Sequence, residues 1–104
     1  GHPHVHMLSA RDGNVGVAYA RAHLPDVILM DINLPGISGT EAMSILRRDP
    51  ATKHIPIIAI SANAMLRDIK KGLEAGFFRY LTKPIKINEF MNALDDALIF
   101  SAER

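Results

Sequence analysis

The chain has 104 residues, 48% hydrophobic and 22% charged, with twelve Lys and Arg against eleven Asp and Glu and no cysteine. This is the size and balance of one small globular domain, read here as a single unit over residues 1–104. No apolar run approaches the ~20 residues of a membrane span, a net charge of +1 gives no field for nucleic acid or an anionic bilayer, and disulfides and thiolate metal sites are excluded.

Read in order, His4-Val5-His6-Met7-Leu8 alternates and then turns apolar, which predicts a strand over about residues 3–8. His2, His4 and His6 would share one face of it, but no acid or cysteine nearby completes a metal site. Ser9 followed by Asp12 has capping-box spacing and opens a helix to about His23, with Gly13, Gly16, Val17, Ala20 and Leu24 on its sheet-facing side. After Leu24-Pro25-Asp26 comes Val27-Ile28-Leu29-Met30-Asp31, an unbroken apolar run ending in a carboxylate. Such a run is a strand covered on both faces, as in a parallel sheet. Beyond the Pro35-Gly36 turn, Ser38 and Glu41 open a second helix that buries Ala42, Met43 and Leu46 and stops at Asp49-Pro50.

Ile55-Pro56-Ile57-Ile58-Ala59-Ile60 is a second buried strand, ending in Ser61. Met65, Ile69, Gly72 and Leu73 mark the apolar face of a helix over 64–75, closed by Gly76. Phe77 to Thr82 forms the last strand, with Phe78 expected to be exposed, and it runs into Lys83-Pro84. A final helix from about Asn88 to Phe100 is expected to bury Phe90, Met91, Leu94, Ala97 and Leu98, leaving 101–104 as a frayed end.

Strand and helix alternate four times, which specifies an α/β fold: a parallel sheet with right-handed crossovers and helices on both faces. Parallel strands finish at one edge, so Asp31, Ser61 and Lys83 converge there although they are far apart in the chain. Ligands bind at the carboxyl ends of strands in such sheets. A carboxylate beside an ammonium is kept in its charged form and can attack phosphorus to give an acyl phosphate. Lys83 would neutralise the anionic group, and Ser61 would donate a hydrogen bond to a phosphoryl oxygen. The rival enzyme class, phosphohydrolases with an aspartate nucleophile, needs a second carboxylate two residues on, where this chain has Asn33.

These residues resemble the receiver domain of bacterial two-component response regulators. The segment Pro25 to Asp31 with Leu34-Pro35-Gly36 and Gly39 is similar to the family's region around the phosphorylated aspartate. Ile57 to Ala62 is similar to the strand ending in its switch Ser or Thr, and Tyr80-Leu81-Thr82-Lys83-Pro84 to the strand ending in its lysine. Ser61-Ala62-Asn63-Ala64-Met65 and Gly76 to Ile85 look most like receivers of hybrid sensor histidine kinases. The resemblance implies a flavodoxin-like (CheY-like) fold with strand order 2-1-3-4-5, and a phosphoacceptor domain rather than a free-standing enzyme. It implies that Asp31 takes phosphate from a histidine kinase or phosphotransfer protein while Ser61 and Lys83 contact it. It further implies that Tyr80 rotates as the switch aromatic, that Lys83-Pro84 is cis, and that Asp31 and the backbone carbonyl of Asn33 ligate Mg2+.

One departure stands out. The family begins with an apolar strand ending in two magnesium-binding acids, followed by a helix, and this chain aligns from the second strand onward. Asp12 is solitary, and Asp95-Asp96 lies on the last helix. The expectations are therefore a sheet without the family's first strand and first helix, and impaired magnesium binding. The alternative function is a phosphorylation-incompetent interaction module. The missing strand would leave Val27 to Met30 with an open edge. Either the segment His4 to Leu8 closes against it, or two chains supply each other's edge; the homodimer is the expectation, because losing the helix also uncovers apolar sheet.

Overall fold

The computed structural model describes residues 5–8, 13–32, 39–62 and 65–103. Its elements run β1 (Val5–Leu8), α1 (Gly13–His23), β2 (Val27–Asp31), α2 (Gly39–Arg48), β3 (Ile57–Ser61), α3 (Leu66–Ala75), β4 (Arg79–Thr82) and α4 (Ile87–Ala102). The four strands form one parallel sheet in the order β1-β2-β3-β4. Ser9 and Asp12 of the first proposed capping box, Ser38 of the second, His2 and His4 lie outside the described residues, as does Asn33.

The order explains the layers. Each crossover steps to the next strand in the same direction, and right-handed connections then put α1, α2 and α3 on one face. That face holds Val17 and Ala20 of α1, Ala42, Met43 and Leu46 of α2, and Ile28, Met30, Ile57 and Ala59 from the strands. The alternate residues Val27, Leu29, Ile58, Ile60 and Leu81 face α4, which returns over the other side and contributes Ala93 and Ala97. The sheet is thus flavodoxin-like, with helices on both faces, three against one.

The sheet has closed where a gap was expected. Val5 pairs with Val27 and Leu8 with Met30, while β2 pairs on its other side with β3. β2 is fully paired within one chain, so the contraction occurs and the exchange of edges between two chains is not needed. On the face opposite the three helices, Val27 and Leu29 of β2 are buried beneath α4.

Several local expectations are corrected. Leu24 does not join the buried face of α1; it is 51% exposed and sits at φ 47°, its N–H donating to the Ala20 carbonyl at 2.9 Å. Pro25 cannot continue the helix, and the chain leaves α1 with Leu24 in the left-handed region common where helices end. Met65 and Leu73 are exposed, and the buried residue of α3 is Gly72. Met91 is exposed because α4 rests on Ala93, Ala97 and Ser101, whose small side chains bring the helix backbone close to the sheet. The helix continues through Ser101 rather than fraying at that point. Phe78 is half-buried, with its ring 5.3 Å from that of Phe100 and the Arg79 guanidinium 4.4 Å above it.

The end of α3 follows its sequence closely. The N–H of Gly76 donates to the Leu73 carbonyl and that of Phe77 to the Gly72 carbonyl at 3.1 Å, with Gly76 at φ 129°. This paired closure needs a positive φ that side chains resist, and it drops Phe77 into the core.

Candidate functional site

Backbone pairing alone brings the three strand ends together. The N–H of Ile32, just past Asp31, donates to the Ile60 carbonyl at 3.0 Å, and the N–H of Lys83 donates to the Ser61 carbonyl at 2.8 Å. Asp31 lies in register with Ile60, and Ser61 with Thr82. The carboxyl ends of β2, β3 and β4 are thereby held at one edge of the sheet.

The side chains complete what the backbone begins. The Lys83 ammonium donates to Asp31 Oδ2 at 2.7 Å, across 52 positions of sequence. The lysine side chain is 43% exposed and the carboxylate 20%. An ion pair this open to water contributes only about 0–1 kcal/mol to stability. Its importance is positional: a carboxylate held beside a cation at the mouth of the sheet, within reach of solvent. Ser61 is buried, at 1% exposure. Lys83-Pro84 is cis, as the resemblance implied.

Tyr80 belongs to β4, three residues before Lys83. It is half-buried and packs with the three-helix side of the core. Its ring lies along Gly72 of α3: a Cβ built on Gly72 would fall 2.9 Å from Tyr80 Cδ2 and 3.0 Å from Cε2.

Of the expected site residues, Asp31, Ser61 and Lys83 converge, Tyr80 lies behind them on the same strand as the lysine approach, and Asn33 falls outside the described residues. Asp96 is engaged elsewhere, accepting from Arg79 at 3.4 Å on the surface of α4. Among the described residues no group of three or more His, Cys, Asp or Glu side chains is placed to hold a metal.

Two residues that fasten the opposite edge of the sheet, before β3 and β4 begin, escaped the reading of the sequence. Arg47 Nη1 donates to the carbonyls of Ile55 at 2.7 Å and Lys53 at 3.1 Å, while Nη2 donates to that of Gly76 at 3.0 Å. Burial pushes its guanidinium below the ordinary value. One side chain thus ties the end of α2 to the approach of β3 and the end of α3. Thr52 is fully buried, its Oγ1 donating to the Leu46 carbonyl at 2.7 Å. In the sequence, an arginine that reaches across the fold looks the same as one that only complements the helix C-terminus.

Comparison with known proteins agrees with this arrangement. The family model described as the response regulator receiver domain matches residues 2–95. The polar-differentiation response regulator DivK of Brucella anthropi is 38% identical over 91 residues, spanning 88% of this chain and 74% of that protein. Among solved structures, the receiver domain of sensor histidine kinase PA1611 from Pseudomonas aeruginosa, which has a magnesium ion coordinated in its active-site cleft, superposes with a TM-score of 0.80 at 28% identity. That match covers 93% of this chain and 98% of that one. The chemotaxis response regulator CheY4 of Vibrio cholerae gives 0.75 at 27% identity, covering 86% and 74%. With its parallel strands, its convergent strand ends and a family match over most of its length, the chain belongs to the response regulator receiver domains, the phosphoacceptor domains of two-component signalling.

Proposed function

We propose that Asp31 is the phosphoacceptor of this domain, receiving its phosphoryl group from a histidine kinase or phosphotransfer protein. The observation that carries the assignment is the 2.7 Å contact between Lys83 and Asp31 at the aligned ends of β2 and β4. A carboxylate oxygen of Asp31 would attack phosphorus, the bond from phosphorus to the donor's imidazole nitrogen would break, and the acyl phosphate would form with the nitrogen leaving on the donor. Lys83 then faces a phosphoryl group with more negative charge than the carboxylate alone, so its attraction grows along the reaction. Ser61, buried on the neighbouring strand, is assigned the hydrogen bond to a phosphoryl oxygen, and Tyr80 the aromatic response.

We infer that magnesium is held weakly. Mg2+ seeks about six oxygens and is commonly bound through one or two carboxylates together with phosphate and water. Among the described residues Asp31 is the carboxylate at these strand ends, and it already shares Oδ2 with Lys83. The Asn33 carbonyl, the other ligand implied by the resemblance, lies outside the described residues. A weak site also favours the second reading, a phosphorylation-incompetent interaction module, which a complete absence of labelling would support. Residues 1–104 acting as one cytoplasmic domain, alone or within a hybrid histidine kinase, fit either reading, and no described helix is long and apolar enough to cross a membrane.

Incubation with acetyl phosphate and magnesium, followed by intact-mass analysis, tests the assignment. The expected outcome is slow, substoichiometric labelling that Asp31→Asn abolishes. Labelling that persists in Asp31→Asn overturns the phosphosite, and rapid stoichiometric labelling overturns the weak magnesium site.

A further inference from the structure

We propose that Gly72 is a positioning residue for Tyr80: the absence of a side chain at Gly72 is what allows the aromatic ring to lie inward against α3, and any side chain there turns the ring toward solvent without a phosphoryl group on Asp31.

Gly72 is the seventh residue of a ten-residue helix, LRDIKKGLEA, and glycine is the poorest helix former apart from proline. Nothing in its backbone conformation calls for it, since the positive φ that closes this helix falls on Gly76. Its surroundings do. A Cβ at this position would meet Tyr80 Cδ2 at 2.9 Å and Cε2 at 3.0 Å, closer than carbon atoms pack, with Phe77 Cδ2 a further contact at 3.5 Å. The Tyr80 ring therefore occupies the volume that a side chain on Gly72 would take.

The same contact anchors the helix. Gly72 is the buried residue of α3, while Met65, Leu66 and Leu73 are all exposed. The hold of α3 on the sheet is concentrated where Gly72 meets Tyr80 and Phe77, and the Gly72 carbonyl also accepts the N–H groups of Gly76 and Phe77 that lead into β4. Because Arg47 of α2 holds the Gly76 carbonyl and the Phe78 N–H donates to the Ile57 carbonyl at 2.8 Å, this end of α3 is fastened to the fold, and an added Cβ displaces the ring rather than the helix. Phe77 and the core close the inner side, leaving solvent as the direction of escape.

The role rests on the proposed reading of Tyr80 as the responding aromatic, and the experiment separates the two. The chain has no tryptophan and two tyrosines, so Tyr19→Phe leaves Tyr80 as the sole source of tyrosine emission. In that background, acrylamide quenching reports the exposure of the ring directly. Gly72→Ala is expected to raise the quenching constant toward that of free N-acetyltyrosinamide, with the helical circular dichroism retained. A folded Gly72→Ala chain whose quenching equals the parent's overturns the proposal. Melting provides a second readout: Gly72→Ala should raise Tm when combined with Tyr80→Leu, where helix propensity acts alone, but not when Tyr80 is present. Equal gains in both backgrounds would show that the two residues are uncoupled and would also overturn it. Trifluoroberyllate with magnesium supplies the separate arm. If trifluoroberyllate, seen bound by its fluorine resonance at raised magnesium, leaves Tyr80 quenching unchanged in the parent while Gly72→Ala exposes the ring, the seat stands and only the reading of Tyr80 as a phosphorylation switch fails.

Discussion

Arg47 shows how much of this fold can hang on one side chain. Its planar fork meets three carbonyls, those of Lys53, Ile55 and Gly76, which come from two separate connections. A hydrogen bond to a charged group contributes about 1.5–3 kcal/mol, and stranding partly buried carbonyls adds to the cost of removing it. Arg47→Ala is therefore expected to lower unfolding stability by roughly 2–4 kcal/mol, read as a fall in the urea midpoint at unchanged slope. Arg47→Lys should recover only part of the loss, because an ammonium does not reproduce the divergent donors of a guanidinium. A loss below about 0.5 kcal/mol, the usual range for surface substitutions, would show these bonds to be incidental. By contrast, the ion pair of Lys83 with Asp31 lies partly in water, and its interest is chemical rather than structural.

At the scale of the elements, the stop of α2 is a compact device. Asp49 accepts the Ala51 N–H at 2.9 Å and Arg21 Nε at 2.8 Å, joining the end of α2 to α1. Its carboxyl is held below the ordinary 3.8, first by the backbone hydrogen bond from Ala51 and then by that from Arg21. A carboxyl depressed in the folded state leaves the unfolded chain binding more protons near that pH, so folded stability rises with pH there. The contribution is complete above the unfolded value of about 3.9 and is lost as pH falls through the lower folded value. Asp49→Asn is expected to lower Tm at pH 6, with the gap from the parent narrowing steadily once the pH drops below about 4. A gap that stays constant from pH 6 to pH 2.5 would remove the carboxylate from this role. The sequence marked Asp49-Pro50 as a helix stop, which was correct; the tie to Arg21 of another helix is a tertiary fact.

For the whole molecule, the sheet is the deciding object. Its two inner strands, β2 and β3, are paired on both sides, and the edges fall to the four-residue strands β1 and β4. Short edges offer few backbone groups for pairing with another chain. The dimer expected from the sequence had an open row along Val27 to Met30 as its main premise, and that row is occupied by β1. Among the described residues the most exposed large apolar side chains are Leu66 at 83% and Ile87 at 80%. Light scattering across a concentration series is expected to show a monomer, and a concentration-dependent doubling of mass would restore the dimer.

The sequence by itself determined the elements and the placement of the polar residues at their ends. Runs such as Val27 to Met30 and Ile57 to Ile60 admit no exposed face, so they become interior parallel strands, and the polar residue closing each run must lie at the sheet's edge. Asp31, Ser61 and Lys83 were legible for that reason: their position follows from local pattern and one rule about parallel sheets. Tertiary structure alone decided which strand lies beside β2, that Gly72 faces Tyr80, that Arg47 reaches Gly76, and that α4 rests on alanines and a serine while Met91 faces water. Each of these is a choice among neighbours distant in sequence. Periodicity records which face of an element is apolar, but which surface meets that face is set by packing the whole chain at once.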